Sequence, residues 1–470
     1  MLPEPFSTSL PTPSPAEPSP LPRRQSAAVD LRVFTSERPT WGRHLPTPNS
    51  LRIVPVRPAA GRHRPGPGRL PAIAVVSGRL ARTMTTLTAV AVAGLVLVSC
   101  SSGTTIGAGG QATRAAPPTT DALNLRRICP ATVVVQSSWF PEAEHGELYQ
   151  LLGKGYTIDA NHKRVTGPLV ASGVDTGVKL QIRAGGPAIG LQQVSAQMYA
   201  DPTITLGMLN TDELIQQAKT AAVLGVMAPL DLDPQVIMWD PVTHPDWNTI
   251  GDIGQTDVKV LYFQGSPYMA YLLGSGILRQ SQVDASYDGT PSRFVTERGR
   301  IAVQGYATDE PYSWSREVPQ WNKPLRYALI NDTGYPNYAN VLGIRPRDKD
   351  QLDGCLHKLV PITQRAQLQF VHNPGPAITA MLAANDAYKS GFHYDRPLAD
   401  YAVNTMLEQG IISNGGNKTL GDFDTARVAQ LIGILKPILR SQKKQFKDDL
   451  SPSEVVTNGY IDDTISLPAR

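Results

Sequence analysis

The stretch that decides the fold is Thr132-Val133-Val134-Val135, which is followed, after Gln136, by Ser137-Ser138-Trp139-Phe140-Pro141. A continuous β-branched run of this kind is typical of a strand buried on both faces of a parallel sheet. The proline after it suits the first turn of a helix, so the sequence predicts a helix over residues 142–152. A buried strand that leads into a helix is half of a βαβ unit, which indicates an α/β fold.

The same alternation continues along the next hundred residues. Further strands are predicted at residues 179–182 and 203–209, and a helix is predicted over residues 211–222. Asn210 or Thr211 is the expected cap of that helix, because both residue types can accept a hydrogen bond from a free backbone N–H. Strands that alternate with helices favour a largely parallel sheet.

A second unit of the same kind follows residue 246, and the rest of the chain is mainly helical. Strands are predicted at residues 258–264 and 327–330, with a helix at residues 266–273 between them. Near the end, apolar residues recur with the 3-4 spacing of one buried helix face, and Asp424 is the expected cap. These apolar residues are Val428, Leu431, Ile432, Leu435 and Leu439.

An uncharged apolar run at residues 87–98 precedes the folded part and ends at Cys100. The run is shorter than the roughly 20 residues that span a bilayer, and it follows Arg79 and Arg82, so it is typical of a secretory signal. Its end, Leu97-Val98-Ser99-Cys100, resembles a bacterial lipobox, which predicts that Cys100 carries lipid. The alternatives are an ordinary signal with a chance cysteine and a buried core helix.

The segments around this run differ from it in composition. Residues 1–83 are rich in proline and unpatterned, so we expect them to be disordered or to be a wrongly assigned upstream segment. Residues 84–99 are the predicted signal peptide. Residues 100–130 are rich in small residues over most of their length and are the predicted flexible tether between membrane and domain.

Charge and cysteine usage narrow the choice of partners. The formal net charge is +4, but twelve arginines and four acids precede Cys100, so the rest of the chain is acidic. We therefore predict no nucleic-acid partner.

With Cys100 assigned to lipid, Cys129 and Cys355 remain, and a disulfide and two separate thiols are both compatible with the sequence. No phosphate loop, nucleophile elbow or metal-spaced His and Cys set occurs, so no cofactor and no metal are predicted.

From about residue 131 onward the chain resembles the type II periplasmic binding proteins, most closely the group related to pyrimidine and thiamine-precursor receptors. The motifs are Trp139-Phe140-Pro141-Glu142-Ala143-Glu144-His145-Gly146, Gly207-Met208-Leu209-Asn210-Thr211-Asp212-Glu213-Leu214, Asp233-Pro234-Gln235, Gly305-Tyr306-Ala307-Thr308-Asp309-Glu310-Pro311 and Val455-Val456-Thr457-Asn458.

The resemblance implies two α/β lobes joined by two crossover strands, with a ligand in the cleft between them. Lobe 1 is expected to comprise residues 131–235 with residues 340–470, and lobe 2 residues 236–339. Residues 157–172 are a hairpin-like insertion relative to the family, and we expect them to alter one rim of the cleft.

The predicted ligand-binding residues follow from the resemblance together with the chemistry of the side chains. Glu310 is expected to accept N–H bonds from an amino-pyrimidine edge, and Trp139 to stack on a flat ring. The family has Asn before this glutamate, whereas this chain has Asp309. The complete predicted set is Trp139, Glu144, His145, Asn210, Thr211, Tyr268, Tyr306, Glu310 and Tyr335.

These observations predict a monomeric, membrane-anchored substrate-binding lipoprotein of an ABC importer, which hands a small nitrogenous heterocycle to separate permease and ATPase subunits. A receptor for a small anion, a sulfonate or riboflavin is the first alternative. A pyrimidine-synthase-like enzyme is disfavoured, because the chain has three cysteines and no cysteine-rich segment. A third alternative is an interaction lipoprotein that has lost its ligand, whose cleft should be filled with aliphatic side chains.

Overall fold

The structure is a computed structural model, and it describes residues 121–468. The chain divides after Gly103, and every described residue belongs to the second unit. The predicted signal run, Cys100 and most of the predicted tether lie outside the described residues.

Twelve strands form two sheets within the described part of the chain. The strands are β1 Thr132–Gln136, β2 Thr157–Asp159, β3 Arg164–Ala171, β4 Val174–Arg183, β5 Leu206–Leu209, β6 Leu224–Met227, β7 Gln235–Trp239, β8 Val260–Leu261, β9 Val283–Asp284, β10 Ala302–Tyr306, β11 Arg326–Leu329 and β12 Val341–Ile344. The larger sheet has the order β2-β3-β4-β1-β5-β12-β6, and the smaller sheet has the order β11-β7-β10-β8-β9.

Both sheets are built on the same plan. In the larger sheet β1 lies parallel to β4 and β5, and β12, which arrives from the other sheet, runs antiparallel between β5 and β6. In the smaller sheet β8 lies parallel to β10 and β9, and β7, which also arrives from the other sheet, runs antiparallel between β10 and β11. The α/β class with two lobes joined by two crossovers is thus confirmed.

The described helices cover the sheets and dominate the end of the chain. They are α1 Gly146–Gln150, α2 Val194–Ala200, α3 Thr211–Gln217, α4 Ile250–Gly254, α5 Pro267–Gly274, α6 Ser292–Thr296, α7 Glu310–Glu317, α8 Lys349–His372, α9 Gly375–Tyr388, α10 Arg396–Glu408, α11 Thr425–Ser441 and α12 Pro452–Val455. None of these described helices is both long enough and apolar enough to cross a bilayer.

The helix α11 shows how the sequence pattern produces the packing. Asp424 accepts hydrogen bonds from the backbone N–H groups of Ala426 and Arg427, as a capping residue does. The five apolar residues predicted to share one face are all buried in the core. By contrast, the helix predicted over residues 142–152 is shorter than expected, because it begins as a 3₁₀ turn over Ala143–His145.

The segment before β1 is tied covalently to the helical part. Cys129 and Cys355 form a disulfide whose Cα atoms lie 4.7 Å apart, so the start of the described chain is joined to α8. The two thiols that the sequence left open as bonded or separate are bonded in this structure.

The two crossover segments are residues 228–234, between β6 and β7, and residues 330–340, between β11 and β12. They lie side by side and are linked by hydrogen bonds. Nδ2 of Asn337 donates to Oδ2 of Asp233 at 2.8 Å, which joins the second crossover to the first. Arg427 of α11 pairs with Asp231 at 2.8 Å and donates to the carbonyl of Asn337, also at 2.8 Å. One guanidinium therefore holds both crossovers.

The predicted insertion at residues 157–172 is a β-hairpin, as β2 and β3 pair antiparallel at one edge of the larger sheet. The expectation that it alters a rim of the cleft is not supported, since none of its residues lines the cavity described below. The hairpin extends the sheet sideways because β3 pairs with β4 on the side away from β1.

Candidate functional site

A cavity of about 640 Å³ lies between the segment that follows β1 and the segment that follows β10. Ser138, Trp139 and Phe140 come from the first segment, Tyr306 is the last residue of β10, and Asp309 comes from the segment after it. Both segments leave the carboxyl end of a strand, which is where open α/β sheets place their ligands. The strand plan of the two sheets therefore creates the site.

Aromatic rings from both sheets form the walls of this cavity. The ring of Trp139, after β1, lies 6.2 Å from the ring of Phe263, after β8, with the planes tilted by 49°. Phe140 and Phe392 stack at 5.5 Å with a 19° angle between planes. Trp139, Phe263 and Phe392 are only partly buried, and each contributes to the lining of the cavity.

The cavity is strongly acidic. Six of its lining residues carry carboxyl groups, and among the described residues no Lys or Arg lines it. The six acids are Glu142, Glu144, Asp288, Asp309, Glu310 and Glu317. His393 is the sole histidine among the lining residues of the described chain. An uncompensated set of carboxyls favours a cationic ligand or one rich in N–H donors.

Burial raises the pKa values of several of these carboxyls. Desolvation and then neighbouring carboxylates raise the pKa of Glu142 well above its ordinary value. Desolvation and then the charge of Glu310 raise the pKa of Asp309 well above its ordinary value. Burial likewise raises the pKa of Glu144, although a hydrogen bond from Thr308 opposes the shift. A cation in the cavity would stabilise the ionised forms of these groups.

Glu310 is placed by the turn from β10 into α7. It is the first residue of α7, and Pro311 follows it at a position where the missing N–H costs no hydrogen bond. Its Oε2 accepts a hydrogen bond from the backbone N–H of Tyr306 at 2.6 Å. That bond opposes the effect of burial, which raises the pKa of Glu310 to about 7. This hydrogen bond fixes Oε2 of the Glu310 carboxylate, and the residue lines the cavity.

Of the nine predicted ligand-binding residues, four line the cavity and five do not. Those that line it are Trp139, Glu144, Tyr306 and Glu310. The other five are His145, Asn210, Thr211, Tyr268 and Tyr335, and each is held in a hydrogen-bond network behind the wall or near the crossovers.

His145 is fully buried and reaches the cavity through Ser138. Its Nε2 lies 3.1 Å from the hydroxyl of Ser138, which donates in turn to Oδ1 of Asn340 at 2.7 Å. Burial lowers the pKa of His145 to about 3, so the imidazole is neutral. His145 itself does not line the cavity, whereas its partner Ser138 does.

Three of the predicted residues form hydrogen bonds at or near the crossovers, namely Asn210, Thr211 and Tyr335. Asn210 accepts from the backbone N–H of Asn340 at 3.1 Å, and Thr211 donates to Oδ1 of Asn337 at 2.6 Å. The Tyr335 hydroxyl donates to Oδ2 of Asp212 at 3.0 Å. Each of these side chains is thus bonded to a neighbour at or near the crossovers, and none of them lines the cavity.

Tyr268 supports Gln304, a lining residue that the sequence did not reveal. The Tyr268 hydroxyl and the backbone N–H of Phe263 both donate to Oε1 of Gln304, at 2.7 and 2.6 Å. Gln235 lines the cavity nearby, and its amide donates to the carbonyl of Gly305 at 2.8 Å. Gln235 belongs to the motif Asp233-Pro234-Gln235, and Gln304 directly precedes the motif that begins at Gly305, which is the signal that could have found them.

No known protein family matches the sequence, and no curated protein matches it. Several solved structures overlap with the chain at low identity. The periplasmic aliphatic sulphonate binding protein SsuA from Escherichia coli is 14% identical, with 68% of this chain and 91% of that chain covered and a TM-score of 0.45. SsuA from Xanthomonas axonopodis pv. citri, bound to MOPS, is 11% identical, with 70% and 98% covered and a TM-score of 0.44.

The periplasmic nitrate-binding protein NrtA from Synechocystis PCC 6803 is also 11% identical, with 72% of this chain and 99% of that chain covered and a TM-score of 0.37. These neighbours are binding proteins of periplasmic type. Since the scores lie below 0.5, the fold class rests on the strand order of this chain.

Proposed function

We propose that this chain is the exported, solute-binding component of an ATP-driven importer and that its cavity captures a small, flat, nitrogenous molecule. A pyrimidine or thiamine precursor is the leading ligand class. The observation that carries the proposal is the lining itself, in which six acids and aromatic rings occur with no described Lys or Arg.

The electrostatics separate this ligand class from the anion alternative. Each lining acid that is ionised repels an anion, by about 4 kcal/mol at 4 Å and an effective dielectric constant of 20. The carboxyls that keep a proton because burial raises their pKa supply no positive charge to attract an anion. A sulfonate or nitrate site needs donors or cations that outweigh such repulsion. The charges therefore favour a protonated or N–H-rich heterocycle over a small anion.

The aromatic walls favour a ring-shaped ligand. A flat, positively charged ring placed against Trp139 or Phe263, on the side that lines the cavity, gains both stacking and cation–π attraction, which together contribute on the order of 1–2 kcal/mol when water is excluded. Glu310 offers charge-assisted hydrogen bonds to N–H groups at the edge of such a ring. A cavity of about 640 Å³ is within the usual range for a small-molecule site.

The same lining supports a binding protein over an interaction lipoprotein that has lost its ligand. A cleft without a ligand was expected to be filled with aliphatic side chains, whereas this cavity is open, polar and walled by aromatic rings. Attachment to the outer face of the cell membrane through lipid on Cys100, and delivery to separate permease and ATPase subunits, are parts of the proposal that follow from the sequence.

Native mass spectrometry of the purified full chain tests the proposal directly, because a co-purifying ligand can be identified by mass. Calorimetric titration should then compare thiamine and 4-amino-5-hydroxymethyl-2-methylpyrimidine with ethanesulfonate and nitrate. We expect at least one of the two nitrogenous probes to bind and both anions to fail. Tight binding of an anion and of neither nitrogenous probe would overturn the proposed ligand class.

A further inference from the structure

We propose that Glu317, His393 and Asp395 form a binding site for one divalent transition-metal ion, such as Zn²⁺, at the mouth of the cavity. Glu317 and His393 both line the cavity, and the His393 side chain is 67% exposed, so the group lies where the cavity meets solvent. The inference rests on this side-chain cluster and does not depend on the identity of the ligand inside.

The three ligand atoms are already close enough to share an ion. One imidazole nitrogen and one oxygen from each carboxylate all lie within 4.8 Å of one another. The distance from Nε2 of His393 to Oε2 of Glu317 is 3.4 Å. Zinc binds such atoms at about 2.0–2.2 Å, which places tetrahedral ligands roughly 3.4 Å apart. The pair therefore needs little movement, and Asp395 needs a small adjustment of its side chain.

The backbone on both sides of His393 is held in place. The Phe392 ring before it stacks on Phe140 at 5.5 Å, and the buried Tyr394 after it accepts a hydrogen bond from the backbone N–H of Ala143 at 2.8 Å. Asp395 caps α10, and its Oδ1 accepts from the backbone N–H of Leu398 at 2.9 Å. Ligands on a backbone fixed in this way lose little freedom on binding a metal.

The local charges also favour a cation. In the described part of the chain, neither Glu317 nor Asp395 pairs with a Lys or Arg, and His393 is the sole ion-pair partner of Glu317. Desolvation and the charge of Asp395 raise the pKa of Glu317, and His393 opposes this shift. One imidazole and two carboxylates suit first-row divalent metals, and three protein ligands leave coordination positions open to water or to a ligand group.

The position of the site gives it a structural consequence. Glu317 ends α7, which follows β10 of the smaller sheet, whereas His393 and Asp395 lie between α9 and α10. A bound ion would tie these two sides of the cavity mouth together. Among the described residues, this is the one group of three or more His, Cys, Asp or Glu side chains with such spacing.

Calorimetric titration of the purified, chelator-treated full chain with ZnCl₂ alone tests the site. We expect saturable one-to-one binding below about 100 µM zinc, and His393→Ala and Glu317→Gln should each weaken it by tenfold or more. The matched control is His162→Ala, because His162 is 69% exposed and pairs with one carboxylate, Asp159, but has no second. This variant should bind zinc as tightly as the parent.

The visible absorption of bound Co²⁺ provides a second measurement. It reports coordination of the ion directly and would not change if His393 had only a structural role. Co²⁺ bound by an imidazole and two carboxylates gives visible absorption bands, which should appear in the parent and in His162→Ala and be absent in His393→Ala. Equal zinc affinity in the parent and His393→Ala, or no saturable binding up to millimolar zinc, would overturn the proposal. Thermal melting of each variant without metal verifies that the exposed substitutions leave the fold intact.

Discussion

The hydroxyl of Thr308 donates a hydrogen bond to Oε1 of Glu144, and both residues are buried. Thr308 follows β10 of the smaller sheet, whereas Glu144 lies in the 3₁₀ turn after β1 of the larger sheet. This bond therefore joins the two sides of the cavity directly. It also gives a donor to a buried carboxyl that has no cationic partner among the described residues.

Thr308→Val keeps the shape of the side chain and removes the donor. We expect the free energy of unfolding to fall by about 1–3 kcal/mol, because the buried carboxyl of Glu144 is left without its hydrogen bond. Urea unfolding measures the change. Thr333→Val is the control, since it removes only a local bond to the carbonyl of Ile330. Equal stability of the Thr308 variant and the parent would contradict the prediction.

Glu310→Gln should weaken capture of a nitrogenous heterocycle by about 10-fold to 100-fold, because a charge-assisted hydrogen bond contributes roughly 1.5–3 kcal/mol. The matched control is Glu297→Gln, which removes an acid that pairs with Arg300 and does not line the cavity. Calorimetry with the probe that binds the parent provides the measurement. If Glu310→Gln binds as tightly as the parent, this carboxylate does not recognise the ligand.

The unliganded protein should be more stable at pH 5 than at pH 8. The pKa of Glu310 is about 7 in the folded protein and about 4.5 in the unfolded chain, so the folded state binds more protons between these values. The contribution of Glu310 to the free energy of unfolding is therefore fully present below about pH 4.5 and is lost as the pH rises through 7. We expect a loss on the order of 1–2 kcal/mol from this partly exposed group, measured by denaturant unfolding.

Glu310→Gln is the test of that assignment, since it removes the titrating group. The difference in unfolding free energy between pH 5 and pH 8 should shrink in the variant, while other buried acids with raised pKa values maintain the sign. An unchanged pH dependence would show that Glu310 does not hold its proton near neutral pH.

Cys129→Ser/Cys355→Ser should reduce the free energy of unfolding by about 3–5 kcal/mol. The disulfide joins residues separated by 226 positions, so opening it releases a long loop in the unfolded chain. Thermal melting of the parent with and without a reductant likewise compares the chain with the disulfide formed and the chain with it reduced. A melting temperature that is insensitive to both the substitution and the reductant would argue against a stabilising bond.

Cys100→Ala should release the protein from the membrane fraction without changing the melting temperature of the folded part. The physical reason is that a lipid anchor, and not a helix, is predicted to hold the chain, and stable anchoring needs more than one acyl chain. Membrane fractionation followed by a carbonate wash measures the release. If the variant stays in the washed pellet, Cys100 is not the anchor.

The fold could be predicted because its signals are local. The Thr132-Val133-Val134-Val135 run and the spacing of Val428 to Leu439 each report burial along one element, and both elements lie where the sequence placed them. Element lengths were less predictable. The helix after Pro141 begins as a 3₁₀ turn, in which the backbone N–H of Ala143 bonds to the distant Tyr394.

The site was predictable only in part, because whether a residue faces a cavity depends on contacts between distant segments. Glu310 and Trp139 were found since each follows a strand directly and belongs to a quoted motif. Tyr268 and Tyr335 look equally suitable in the sequence, yet their hydroxyls bond to Gln304 and Asp212. No local pattern shows that the acids after β1 and those after β10 meet in one cavity.

The paired crossovers limit how the cavity can open. Because Asn337 bonds to Asp233 and Arg427 holds both segments, the two connections flex together. We expect two adjacent, bonded tethers to resist a twist of one lobe against the other. The cavity should therefore open by a hinge-like rotation near the crossovers.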